Sequence, residues 1–234
     1  MQSMAPYSAI IHAADYRRAP FPEDHVFEKT YCVQIGGRCW LEIPLCALPG
    51  GEEAIALLMS NQSDFRVIEH LTTLMAQKAD LLEPDCIAAV PTMGLEYASR
   101  IAQKLGHEHY VAMGFSHKFW YDEKIAEPVV STTSPDQTKN LYLDPGLLDR
   151  VQGKRVVVVD DVINTGSSVS AAIRLLKKAG ADVVGTVVGL TEGHAWKKTL
   201  ACPSIGESSK VVSIGHIPIF AKLGEGWVVR PETL

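Results

Sequence analysis

Four consecutive valines, Val156, Val157, Val158 and Val159, run directly into two acids, Asp160 and Asp161, and then into Val162, Ile163, Asn164, Thr165, Gly166, Ser167 and Ser168. A run of β-branched residues with no polar alternation suits a central parallel strand covered on both faces. That demands helices on either side of a sheet. The strand then delivers its two carboxylates at its C-terminal end, where open α/β sheets bind ligands. The hydroxyl- and glycine-containing residues 164–168 open a helix, whose inward stripe is Val169, Ala172, Ile173 and Leu176 and whose stop is Gly180. Backbone N–H groups at that helix start, with the hydroxyls of Thr165, Ser167 and Ser168, can surround a phosphate, and the helix dipole adds about 0.3 to 1 kcal/mol. Gly166 lets the backbone come close. Two adjacent carboxylates repel each other, so they call for a partner such as the vicinal hydroxyls of a ribose, or a magnesium ion held by Asp160 and Asp161. A ribose 5-phosphate fits the span between the two ends.

The remaining periodicity supplies the layers. Tyr31, Val33 and Ile35 alternate with polar residues up to Gly36 and Gly37, and Cys39, Leu41 and Ile43 alternate afterwards, which predicts a β-hairpin. Residues 65–82 change to a helical period through Val67, Leu71, Leu74 and Met75, and Glu83, Pro84 and Asp85 end it. Strand-then-helix steps follow: a strand at 87–90, a helix with Leu95, Ala98, Ile101, Ala102 and Leu105 inward, and strands at 110–114, 155–159, 182–190 and 211–219. The expected fold is α/β, a doubly wound, mostly parallel sheet. Residues 115–148 interrupt the pattern, rich in Ser, Thr, Pro and Asp with no sustained period. Long loops inside compact α/β domains are often functional.

With 234 residues and 47% of them apolar, the chain can bury one substantial core. No apolar run approaches the roughly 18 to 20 residues that span a bilayer, and residues 7–18 lack the basic-then-apolar order of a leader. The expectation is a cytoplasmic protein with no membrane association. Lys and Arg number 22 against 27 Asp and Glu, giving a net charge of −5, which disfavours a nucleic-acid surface. The five cysteines form an odd set in a chain that needs no staples, which favours reduced thiols.

The run from Val156 to Ser168 resembles the signature that binds 5-phosphoribosyl 1-pyrophosphate (PRPP) in type I phosphoribosyltransferases. The order of elements extends the resemblance over residues 65–219. It implies a transferase that moves the phosphoribosyl group of PRPP to a nitrogenous base, with magnesium bound alongside PRPP. By position, Asp160 and Asp161 would contact the ribose hydroxyls and act in catalysis, and Asn164, Thr165, Gly166, Ser167 and Ser168 would hold the 5-phosphate. A P-loop is excluded, since no Gly-Lys-Ser/Thr occurs.

Other sites follow from the same likeness. Thr92, Met93 and Gly94, after the first sheet strand, resemble the loop that binds pyrophosphate through backbone amides. Residues 115–148 stand where the family places a mobile lid, with Lys118 as its catalytic cation and Lys124, Tyr121 and the hydroxyls of residues 131–134 as further contacts. A small hood would select the base, built from residues 1–64, around the hairpin at 26–45, and from residues 220–234, around the 217–230 stretch. Phe115 and Trp196 are the candidate stacking residues and Glu192 the candidate acceptor, pointing to a purine of adenine or xanthine type. His194 has no partner legible from sequence. An orotate or uracil enzyme and a PRPP-sensing regulator are the alternatives. The resemblance also implies a homodimer.

Overall fold

The computed structural model describes residues 7–13, 25–37, 39–122, 124–131 and 134–234. In chain order the strands are β1 (Ile10–His12), β2 (Thr30–Ile35), β3 (Cys39–Ala47), β4 (Glu53–Ala56), β5 (Cys86–Ala89), β6 (Val111–Ala112), β7 (Ala126–Ser131), β8 (Ser134–Tyr142), β9 (Arg155–Ile163), β10 (Asp182–Glu192), β11 (Val211–Ile217), β12 (Phe220–Leu223) and β13 (Gly226–Val229). The helices are α1 (Phe65–Asp80), α2 (Gly94–Lys104), α3 (Ser167–Lys178) and α4 (Ala195–Leu200). A parallel sheet in the order β11-β10-β9-β5-β6 forms the centre. The four valines of β9 divide between its faces. Val157 and Val159 pack with α1, α2 and the N-terminal strands, and Val156 and Val158 pack with α3 and the β7/β8 hairpin. All four are fully buried. This is the doubly wound arrangement expected of a strand with no polar face.

Local chemistry sets the helix ends. The Asp64 carboxylate accepts from the Arg66 N–H at 2.7 Å and caps the start of α1, which stops before Glu83 and Pro84. Helices α2 and α3 both close in the same way. Gly106 and Gly180 take positive φ, and the following N–H groups of His107 and Ala181 reach back to the carbonyls of Ala102 and Leu176.

A second sheet, β1-β3-β4-β12-β13 with β2 on β3, joins the N-terminal strands to the C-terminal ones. Of this sheet only the β2/β3 pair was expected from periodicity, and residues 217–230 were expected only as a hood segment implied by the resemblance. Strands β1, β4, β12 and β13 are too short to show it.

Three expectations are corrected. The strand at 110–114 is reduced to Val111–Ala112. Strand β9 continues past Val159 to Ile163, so both acids lie within the strand rather than after it, because β10 pairs beside it as far as Thr191↔Ile163. Residues 115–148 are not without period: β7 and β8 form an antiparallel hairpin there. Its inward face carries Glu127 and Val129 on β7 and Leu141 on β8. An inward-facing glutamate hides such an alternation from any apolar pattern.

Candidate active site

The register of the central sheet opens a cleft. On one side β9 pairs with β5 only as far as Ala89↔Val159, and Val90 N–H makes the last bond to the Val159 carbonyl at 2.9 Å. On its other side β10 runs on for several residues. Past Val159, therefore, β9 has one edge without a strand, and Asp160 and Asp161 stand at that edge. The cleft there has a volume of about 320 Å³, within the range of small-molecule sites.

Asp160 is 7% exposed and Asp161 half-buried. The Asp161 N–H donates to Asp160 Oδ1 at 3.0 Å, and the Val162 N–H donates to Asp161 Oδ1 at 2.7 Å. Burial pushes both carboxyls above the usual range, and the nearby Asp161 charge adds to the rise at Asp160. Neither has an ion-pair partner among the described residues. The pair is arranged to receive hydroxyl donors or a cation.

Helix α3 begins just beyond. Gly166 sits at φ +79 as the N-cap and offers no side chain to cap the helix, while Thr165 Oγ1 accepts from the Ser167 N–H at 3.4 Å. The first turn of α3 lines the cleft through Ser167, Ser168 and Val169 beside Thr165, and a helix start of this kind is a ready-made anion site. Glycine is required at 166 twice over. The backbone is left-handed there, and a Cβ would come within 3.2 Å of Trp196 Cα and Cβ.

The opposite wall is made by Pro91, Thr92 and Met93. The peptide between Pro91 and Thr92 is cis. Ser60 Oγ donates to the Met93 carbonyl at 2.8 Å and ties this turn to the N-terminal strands. Gly94 lies behind the wall rather than in it. A Cβ at Gly94 would meet the Val159 carbonyl oxygen at 2.7 Å, so its bareness lets the turn lie against β9.

At the far end, residues 55–58 come down from the second sheet, while Phe115, Val129 and Lys139 close the side. Lys139 Nζ stands 6.0 Å from the centroid of the Phe115 ring. Glu192, the last residue of β10, faces the cleft although it is only 3% exposed. The Asn164 amide donates to Glu192 Oε2, and Glu192 Oε1 has no hydrogen-bond partner. Burial pushes its carboxyl up to about 8, against the lowering effect of the Asn164 bond.

The structure thus brings together Thr92, Met93, Phe115, Asp160, Asp161, Asn164, Thr165, Gly166, Ser167, Ser168 and Glu192. Other candidates stand elsewhere. Lys118 and Lys124 are exposed and do not line the cleft. Tyr121 packs edge-on against His117 and tilts toward Tyr142. Trp196 packs behind Gly166 and does not line the cleft, and its Nε1 donates to the Gly193 carbonyl at 3.2 Å. His194 stacks on His216 and bonds the Leu234 carbonyl through Nε2 at 2.8 Å. The hydroxyls expected at 131–134 lie outside what the structure describes. Sequence reasoning passed over Lys139, the basic side chain that does line the cleft. It lies two residues before buried Leu141 on the same face of β8, a relation visible only once that stretch is read as a strand.

Fold and site together define a class: an α/β protein with a carboxylate pair and a hydroxyl-rich helix start at one end of a parallel sheet. Residues 63–217 match the family model of the phosphoribosyl transferase domain, and the chain belongs to that family. It is 38% identical over 82 residues to an orotate phosphoribosyltransferase of Staphylococcus saprophyticus, covering 34% of this chain and 39% of that protein. It is 27% identical over 131 residues to a hypoxanthine/guanine phosphoribosyltransferase of Methanobrevibacter ruminantium, covering 56% of this chain and 65% of the relative. With an adenine phosphoribosyltransferase of Rhodococcus jostii it shares 33% identity over 135 residues, 57% of this chain and 69% of the relative. The matches to the first two span less than two thirds of those relatives' length. The fold is shared with the solved adenine phosphoribosyltransferase of Trypanosoma brucei, at a TM-score of 0.54 and 17% identity, over 66% of this chain and 65% of that one. The among-described-residue helices include none long and apolar enough to cross a membrane.

Proposed function

We propose that this chain transfers the 5-phosphoribosyl group of PRPP to a ring nitrogen of a purine, releasing pyrophosphate and forming a nucleoside monophosphate. The observation that carries the reading is one cleft in which the Asp160 and Asp161 carboxylates, the start of α3 and the Thr92-Met93 turn face a common space. The α3 N–H groups and the Thr165, Ser167 and Ser168 hydroxyls hold the 5-phosphate. Asp160 and Asp161 accept from the ribose hydroxyls. Backbone groups of Thr92 and Met93, with Lys139, face the departing pyrophosphate, and Phe115, Val129 and the 55–58 segment keep water from the reacting carbon. Orientation and charge stabilisation carry the reaction, so no side-chain nucleophile is needed.

The magnesium ion expected with PRPP fits these residues. Two adjacent carboxylates, one buried and one half-buried, without a cationic partner among the described residues suit a divalent ion, and no group of three or more potential ligands occurs among those residues, so phosphate oxygens and water would complete its shell. When bound, the ion supplies positive charge to the pyrophosphate oxygens.

A purine is favoured over orotate by Glu192. Its Oε1 has no hydrogen-bond partner, and the N–H edge of a purine would satisfy it. A homodimer and a cytoplasmic location belong to the same proposal, on the strength of the resemblance. The test is pyrophosphate release from PRPP and magnesium with adenine, guanine, hypoxanthine, xanthine, orotate and uracil. Release with a purine is expected. Joint replacement Asp160→Asn and Asp161→Asn should weaken PRPP binding in calorimetry by about 3 kcal/mol or more while the fold stays intact. Unchanged PRPP affinity, or turnover of orotate or uracil alone, would overturn the reading.

A further inference from the structure

Asn164 lies in the phosphate loop by sequence, yet its side-chain amide serves Glu192. Sheet register makes the meeting unavoidable. Thr191 pairs with Ile163 across β10 and β9, so the next residue on each chain, Glu192 and Asn164, leaves the ladder side by side. The bond holds Oε2. It leaves Oε1 as a buried polar atom with no partner, on a side chain that lines the cleft. A glutamate has three side-chain rotors, and once one oxygen is anchored the other can no longer swing away to find a partner. A ligand N–H arriving at Oε1 relieves an atom the protein itself leaves unsatisfied.

We propose that Asn164 is a positioning residue for base selection: by holding Glu192 Oε2 it aims Oε1 at the N–H edge of the incoming base, and it does not serve the 5-phosphate. The ligand class is a nucleobase with an amino or ring N–H group. The rise of the Glu192 carboxyl to about 8 agrees with an acid buried ahead of its ligand. This inference rests on the transferase reading above. It divides the run from Asn164 to Ser168 between two tasks, with Asn164 facing the base and Thr165 to Ser168 facing the phosphate.

The test compares Asn164→Ala, Asn164→Ser, Glu192→Gln and the Asn164→Ala/Glu192→Gln double variant, with folding checked by thermal unfolding. PRPP affinity is measured by calorimetry, and base affinity by equilibrium dialysis with adenine, guanine, hypoxanthine and orotate, alongside KM and kcat. Asn164→Ala should weaken binding of the accepted base by roughly tenfold, the usual consequence of misaligning a buried hydrogen-bonding group, while PRPP affinity stays within about twofold. Asn164→Ser, which keeps a donor, serves where the alanine variant fails to fold and should lose less. The double variant should be no worse than Glu192→Gln alone, since both changes break one device. A loss of PRPP affinity as large as the loss of base affinity would overturn the inference, as would additive losses in the double variant. Failure of the transferase reading is distinguishable: wild-type protein would then release no pyrophosphate with any base, while the dialysis comparison still decides the role of Asn164.

Discussion

Glu192 sets the problem at the residue scale, being an acid at 3% exposure whose single hydrogen bond satisfies only one oxygen. Burial raises its carboxyl from 4.5 to about 8. Between those values the folded chain keeps a proton that the unfolded chain releases. Stability from this group is therefore fully present below about pH 4.5 and is lost as pH rises toward 8, by about 1.4 kcal/mol for each unit traversed at most. Asp160 and Asp161 are shifted in the same direction, so the ligand-free protein should be less stable at pH 8 than at pH 5. Glu192→Gln removes one contributor. Urea unfolding at the two pH values should show the variant losing less stability than wild type by on the order of a few kcal/mol. Parallel losses in the two proteins would mean that Glu192 is not held as a neutral acid.

Among the elements, the β7/β8 hairpin has the most specific anchor. Glu127 is buried, and it accepts from Arg174 Nε at 2.9 Å and from Lys178 Nζ at 2.6 Å, both on α3. Burial alone would raise its carboxyl, but the two cations outweigh that and hold it below the usual range. The same helix that opens at Gly166 thus fixes the strand that carries Val129 into the cleft. Glu127→Ala should cost about 1 to 3 kcal/mol, less than for a fully buried pair because Arg174 and Lys178 are partly exposed. Trypsin cleavage near Lys118, Lys124 or Lys139 should become faster in the variant, and PRPP with magnesium should slow it in wild type. Cleavage at the same rate in both proteins, with or without ligand, would show that neither this anchor nor the ligand governs the hairpin.

For the whole molecule, one apolar cluster runs from α1, α2 and a face of the central sheet into the second sheet, ending at Phe27, Phe220 and Trp227. Phe220 is fully buried and meets Tyr31 and Phe27 edge-on, with ring centroids 5.1 and 5.8 Å apart. The strands that close the cleft are therefore not a separately folding appendage. Phe220→Ala should destabilise the chain by about 3 to 5 kcal/mol in one cooperative transition monitored by both tryptophan fluorescence and circular dichroism. Two resolved transitions would show that the second sheet melts on its own.

Sequence by itself determined the central strand, its acids and the helix that follows, because each is written in consecutive residues: a valine run that needs cover on both faces, two adjacent carboxylates and a glycine-bounded helical stripe. The Schellman glycines Gly106 and Gly180 were legible for the same local reason. Tertiary structure alone decided which residues meet across distance. It took Trp196 behind Gly166 and left Lys118 outside the cleft, and it brought Lys139 to the cleft wall on a hairpin whose inward Glu127 is held by cations on α3. It also set Asn164 beside Glu192, which no local pattern announces. Two residues 28 positions apart become neighbours only through the register of β9 against β10, and register is fixed by what the whole core buries.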